Sequence, residues 1–221
     1  MFDTSQNDTP RFYAACLASY NNGVLHGVWI DASTDTDEMQ EHIDVMLRAS
    51  KFPNVTVICN NCDGSGDVDG IEGAGQRITC KSCKGTGEVP SAEEMAIHDY
   101  DGIPSTLGEY CGLQAIADYV EFIEAVEETG TDDPAALAQA MIENWHSVEY
   151  AQSEIDSYMG TYSTFRKYAD DAADEMIACH TADGKAPQML VNYFDYDSFA
   201  RALAMEMTVL DVPGGVAVFS A

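Results

Sequence analysis

The hydrophobic and polar positions of the chain change period several times, and each change predicts an element. Residues 11–19 and 24–31 are rich in aromatic and β-branched side chains and flank Asn21-Asn22-Gly23, where positive φ is tolerated, so they predict two strands joined as a hairpin. Residues 34–50 carry Met39, Ile43, Met46 and Leu47 at helical spacing, with Thr34 or Thr36 as N-cap. Short β-rich runs follow at 55–58 and 95–100, on either side of a Gly- and Cys-rich insert. Helical patterns then occupy 106–128, 134–144 (Asp133 as N-cap, Pro134 as the first helical residue), 147–158, 163–178 and 196–207. A last hairpin pairs 208–212 with 216–220 around Pro213-Gly214-Gly215. The prediction is an α+β protein with a β-containing start (1–112, insert 52–92), a helical middle (113–158) and an α+β end (159–221).

Charge alters this picture more than composition does. The 221 residues include 46% hydrophobic side chains, enough for a real core, yet 38 Asp and Glu face 10 Lys and Arg, a net charge of −28. Such a charge repels nucleic acid and anionic membrane and attracts a basic surface. Residues 1–11 have neither the basic nor the apolar region of a secretory signal, and no stretch has the length of a transmembrane helix, so a cytoplasmic location is expected.

The acidity is unevenly spread. Arg48, Lys51, Arg77, Lys81 and Lys84 are five of the ten basic residues, and the next is Arg166; the 81 residues between contain no Lys or Arg and 17 Asp and Glu. Forgoing every i,i+4 ion pair, each worth ~0.2–0.5 kcal/mol, is a loss that calls for a function. Along 113–128, Leu113, Ile116, Val120 and Ile123 share one helical face, and Asp118, Glu121, Glu124 and Glu128 an arc roughly opposite, a single-sign row ~15 Å long. Duplex DNA carries one charge per ~1.7 Å, a density that several such elements side by side approach. An acidic chain poor in Lys also fits a halophile; the basic patch at 48–84 argues against that, but charge alone does not separate the two.

The insert repeats one motif. Cys59-Asn60-Asn61-Cys62-Asp63-Gly64-Ser65-Gly66 is answered by Cys80-Lys81-Ser82-Cys83-Lys84-Gly85-Thr86-Gly87, both C-x-x-C-x-G-x-G, with 17 residues between the pairs. Two such pairs fit a structural Cys₄ zinc site, closed to water and so non-catalytic; thiol–disulfide chemistry is the alternative. The motif resembles the cysteine-rich repeats of Hsp40 (DnaJ) chaperones, at half the usual number and without a J-domain. Cys16, Cys111 and Cys179 sit among apolar residues and read as core. Asp63, Ser65, Asp67, Asp69 and Gly70 resemble a calcium loop that fails at Gln76, where Glu is needed. His26, His42, His98, His146 and His180 share no metal spacing, His98-Asp99 reads as a packed pair at a strand end, and no nucleotide-binding or nucleophile motif occurs, so an enzyme is not expected.

Three stretches resemble the ArdA antirestriction family. Phe12 to Gly23 followed by His26-Gly27-Val28-Trp29-Ile30-Asp31 is similar to its opening hairpin, Glu94 to Pro104 to its A-I-H-D-Y stretch, and Asn192 to Leu203 to its N-Y-x-D-Y helix. The resemblance implies an elongated molecule of three small domains that forms a homodimer through the last, encoded by a plasmid, phage or conjugative element. It implies carboxylates that imitate DNA phosphates and block the basic DNA-binding groove of the methyltransferase–specificity core of type I restriction–modification enzymes. Asp118, Glu121, Glu124, Glu127, Glu128, Asp132 and Asp133 are expected to lead in that role, followed by Asp170, Asp171, Asp174 and Glu175, with Tyr193, Phe194, Tyr196 and Phe199 expected at the dimer interface. The insert at 52–92 departs from many relatives and is expected to interrupt the first domain just before its last strand. The alternatives are a mimic aimed at another defence system or DNA-binding regulator, and an acidic zinc-containing scaffold of a halophile.

Overall fold

The order of elements follows from where buried apolar positions find partners. A computed structural model describes residues 9–70, 77–179 and 188–220; Gln76 of the calcium-loop reading and His180 lie outside them. The chain divides into two units, Met1–Val120 and Glu121–Ala221.

In the first unit, strand β1 (Arg11–Cys16) lies between β2 (Gly27–Asp31) and β7 (Met95–Asp101), antiparallel to both. Helix α2 (Thr36–Arg48) lays Met39, Ile43, Met46 and Leu47 on this sheet, and they share a core with Phe12, Ala14, Cys16, Ile30 and Ile97. The strands at 11–19 and 24–31 do pair, but a tight turn does not join them. Helical turn α1 (Leu17–Asn21) intervenes because Cys16 caps it, its sulfur accepting from the Ser19 amide, while the buried Ser19 hydroxyl bonds Ser50 at 3.0 Å. The cap of α2 is Asp35, whose carboxylate accepts from the amides of Asp37 and Glu38; Thr34 and Thr36 flank it.

The cysteine insert leaves the C-terminal side of α2 and returns to β7, the strand that completes the sheet. It consists of two antiparallel ribbons, β3 (Val55–Ile58) with β6 (Glu88–Ser91) and β4 (Asp67–Asp69) with β5 (Arg77–Thr79). Its base is anchored where the Ala92 amide donates to the Leu47 carbonyl at 3.1 Å, next to buried Ser91.

Residues 106–111 do not form the α-helix that the pattern predicts. A 3₁₀ turn (Ser105–Leu107) ends at Gly108, whose φ of 82° breaks the run. Helix α3 (Gly112–Glu128) follows, and the boundary between the units falls inside it. Its buried side chains are Ile116, Ala117, Tyr119, Phe122 and Val126, a stripe rotated from the predicted Leu113–Ile116–Val120–Ile123 line.

The second unit is built on a sheet ordered β8 (Tyr158–Tyr162), β10 (Gly215–Ser220), β9 (Met207–Val212). Helices α4 (Pro134–Trp145) and α5 (Val148–Ser153) share its core, so Phe122, Val126, Leu137 and Met141 pack in one cluster with Leu210, Ala217 and Phe219. Asp133 caps α4 as predicted, accepting from the Ala136 amide. Strand β8 starts at the last residue of the helix predicted over 147–158 and fills the gap before the helix predicted from 163. Helix α6 (Phe165–Cys179) packs with α8 (Tyr196–Leu203), and α7 (Gln188–Tyr193), which the periodicity did not predict, precedes α8. The terminal hairpin turns on Pro213-Gly214 alone, since Gly215 already pairs with Val212. No helix among the described residues is long and apolar enough to cross a membrane.

Candidate functional site

Two halves of the insert, unequal in sequence, fold as copies of one another. The Cys59 amide donates to the Gly87 carbonyl at 2.9 Å and the Cys80 amide to the Gly66 carbonyl at 2.8 Å. Ser65 donates to Cys62 O as Thr86 does to Cys83 O, at 2.6 and 2.7 Å. Asp63 and Lys84 occupy matching left-handed positions, φ 48° and 56°. The final glycines are required: a Cβ on Gly87 would lie 2.3 Å from Gly64 O, and one on Gly66 2.5 Å from Gly85 O. This crossing of backbones turns four thiols inward.

Cys59, Cys62, Cys80 and Cys83 are all buried, with sulfurs within 4.8 Å of one another. Sγ–Sγ is 3.8 Å for Cys59–Cys80 and 3.7 Å for Cys62–Cys83. Amides of Gly66 and Gly87 point at Cys62 and Cys83, each at 3.3 Å, and Asn61 Nδ2 donates to Cys80 Sγ at 3.3 Å. That side-chain bond pulls the Cys80 thiol down to about 6, whereas burial pushes Cys59 up to about 11. The four sulfurs form a set that can hold a metal ion. Asn61 was missed from the sequence, although its asymmetry with Ser82 at the same place in the second copy was visible there.

The other cysteines separate. Cys16 is core, but Cys111 is only half-buried, 3.3 Å from the Tyr100 hydroxyl, and Cys179 is exposed. The expectation of three core thiols holds for one, because the last turn of α6 and the approach to α3 face solvent. His98 is the extra residue of a bulge in β7, between partners Asp99 and Ile97, and its ring stacks edgewise on Tyr20 with centroids 4.9 Å apart. Asp99 accepts instead from the Tyr100 amide, so the pair is not joined as a dyad.

The acidic residues fall into two groups. Glu121, Glu124, Glu127, Glu128, Asp132 and Asp133 are exposed and Asp118 is half-buried, and among the described residues none of them pairs with a cation. On α3, Glu121, Glu124 and Glu128 lie opposite the buried Tyr119, Phe122 and Val126, which fixes the row outward. Asp118 accepts from Gln114 at 2.7 Å and Asp133 is committed to its cap. On α6, Asp170 pairs with Arg166 at 2.7 Å and Asp171 with Lys167. Asp174 accepts from the Tyr196 hydroxyl, which raises the phenol above its ordinary pKa. Glu175 is exposed.

Of the residues expected at a dimer interface, Phe194, Tyr196 and Phe199 stack on one another, with Phe194 centroids 4.9 and 5.5 Å from the other two. Tyr193 stands apart, 87% exposed. No curated protein matches the chain. Residues 12–218 match the family described as antirestriction protein (ArdA), which spans both units and the insert, and the chain therefore belongs to the ArdA antirestriction family.

Proposed function

We propose that the protein is a DNA mimic that occupies the basic DNA-binding groove of type I restriction–modification enzymes and blocks both restriction and methylation. The observation that carries this reading is the outward row of carboxylates on α3, with exposed Asp132 and Asp133 after it in the chain, none of them paired with a cation among the described residues. A groove lined with Lys and Arg gains by releasing DNA's condensed counterions, and a fixed array of carboxylates competes for the same charges without a phosphodiester to cut or a base to methylate. The protein is not an enzyme on this account, a reading that membership of an antirestriction family supports. The reading includes a homodimer formed through the C-terminal residues, with exposed Tyr193 as a contact.

The four cysteines are assigned to one structural zinc ion. Tetrahedral Zn–S bonds of ~2.3 Å separate neighbouring sulfurs by about 3.8 Å, and the Sγ–Sγ distances of 3.8 and 3.7 Å match that. All four positions are thiols, leaving none for a reacting water, so the ion's part is to hold the hairpin closed.

The test neutralises the row. The variant Glu121→Gln/Glu124→Gln/Glu127→Gln/Glu128→Gln should bind a type I methyltransferase–specificity core on the order of tenfold more weakly, while each single change costs about threefold or less, because the charges act together. Asp170→Asn/Asp171→Asn should have the smaller effect per charge, since those carboxylates already face Arg166 and Lys167. Wild-type affinity in the fourfold variant, measured by titration calorimetry, would contradict the assignment of the row.

A further inference from the structure

The cations of this protein are distributed in a way that mimicry does not use. Among the described residues, Arg11, Arg48, Arg166 and Lys167 all pair with carboxylates. Lys51, Arg77, Lys81, Lys84 and Arg201 do not, although the chain carries 38 Asp and Glu. Three of those five are on the cysteine hairpin. Arg77 spends its guanidinium on the Ser65 hydroxyl and the Asp67 carbonyl. Lys81 and Lys84, one after each cysteine of the second knuckle, are exposed and make no hydrogen bond or ion pair. The first knuckle has Asn60 and Asp63 at the matching positions, so fold symmetry does not demand lysine there.

The same module exposes two large aliphatic side chains, Ile58 at 64% and Ile78 at 40%, although its own interior holds only the four cysteines, Val68 and Val89. Exposed isoleucines and unpaired lysines on one module suit a protein surface. They do not suit a nucleic acid backbone, which offers no apolar contact and is repelled by the net charge of −28.

We infer that the second knuckle, through Lys81 and Lys84, docks on an acidic surface of the target enzyme outside its basic groove. The hairpin thereby adds a contact of opposite sign to that of the carboxylate array. This inference rests on the reading of the protein as a groove ligand. It explains why an acidic chain leaves Lys81 and Lys84 unpaired with its own carboxylates: a partner with both a basic groove and an acidic margin is selected by both signs together, and DNA itself offers no second sign.

The two accounts predict opposite signs for one experiment. Lys81→Glu/Lys84→Glu, made in the full-length protein, replaces two positive charges by two negative ones. If only attraction to a basic groove mattered, binding to the methyltransferase–specificity core would tighten. Docking on an acidic margin predicts a loss of about tenfold, recovered by Lys81→Arg/Lys84→Arg. Metal content is measured in parallel, because two lysines beside a doubly negative Cys₄ centre also steady its charge. If the reversed protein loses its metal, Lys81→Gln/Lys84→Gln is compared instead, with the same signs expected. Unchanged or tighter binding overturns the inference. So does wild-type binding to duplex DNA, or self-association in the absence of enzyme, that the reversal abolishes, since the occupant is then nucleic acid or a second copy. A wild-type protein that fails to bind the core overturns the underlying reading, a result distinguishable from all of these.

Discussion

Removing the metal, by a strong chelator or by Cys80→Ser, is expected to unfold the hairpin between 55 and 91 and leave the rest of the first unit folded. The hairpin has almost nothing else to hold it. Its buried core is the four cysteines with Val68 and Val89 packed against them, and two of its strands are three residues long. A module of this size falls below the ~40 residues at which a hydrophobic core alone sustains a fold. Metal binding in comparable elements contributes ~10–16 kcal/mol, so its loss is decisive locally. The sheet of β1, β2 and β7 has a separate core around Phe12, Ile43 and Ile97, and losing the hairpin only turns the connection from α2 to β7 into a long loop. The closure cost of such a loop grows by only ~0.6 kcal/mol per doubling of length. Amide hydrogen exchange should therefore show protection lost at Cys59, Cys80 and the β3–β6 ladder while β1 and β7 stay protected. Persistent protection of the hairpin in metal-free protein would contradict the assignment of a structural ion.

The second large effect is expected at Phe219. This side chain is fully buried on β10, the central strand of the second unit, with its ring 5.1 Å from Trp145 and 5.4 Å from Tyr158. A register shift at Val218/Phe219 brings it opposite Tyr158, so it joins the sheet to the helices through aromatic contacts on both sides. Phe219→Ala removes this buried ring and should cost about 3–5 kcal/mol, a large part of the ~5–15 kcal/mol that holds an ordinary domain. Denaturant unfolding followed by Trp145 fluorescence, in a Trp29→Phe background, reads this directly. A loss below about 1 kcal/mol would mean that the core is not organised around this ring.

Much of the architecture was legible because it rests on local rules. The 3.6-residue spacing of Met39, Ile43 and Met46 found α2, and Asp133-Pro134 marked the start of α4 with its cap. The doubled cysteine motif brought four residues together across a 17-residue gap, because thiolate ligands and positive-φ glycines leave a signature that no tertiary context can disguise. What escaped needed partners distant in sequence. Strand β8 contains Gly160 and no buried side chain, and is a strand because β10 pairs with it. Turn α1 depends on a cysteine cap and on Ser50, more than thirty residues away. The buried stripe of α3 was rotated because Tyr119, Phe122 and Val126, rather than the aliphatic line, found cores to enter.

The candidate surfaces divide the same way. Helical arithmetic places Glu121, Glu124 and Glu128 on one outward face from sequence alone. The partnering of Asp170 and Asp171 was also visible as i,i+4 spacing to Arg166 and Lys167. The capture of Asp174 by Tyr196 was not, since it joins α6 to α8 across 22 residues. The lack of an ion pair at Lys81 and Lys84 likewise emerges only when the cations of the described residues are checked for partners.

Direct competition tests the central claim. Full-length, metal-loaded protein and an unlabelled duplex carrying the recognition sequence are titrated against the same type I methyltransferase–specificity core across a salt series. The account predicts mutual exclusion at a single class of sites and affinity that falls steeply as salt rises, as expected when many carboxylates meet a basic groove. Simultaneous binding of protein and DNA, or no binding by folded, metal-loaded protein at low salt, would contradict it.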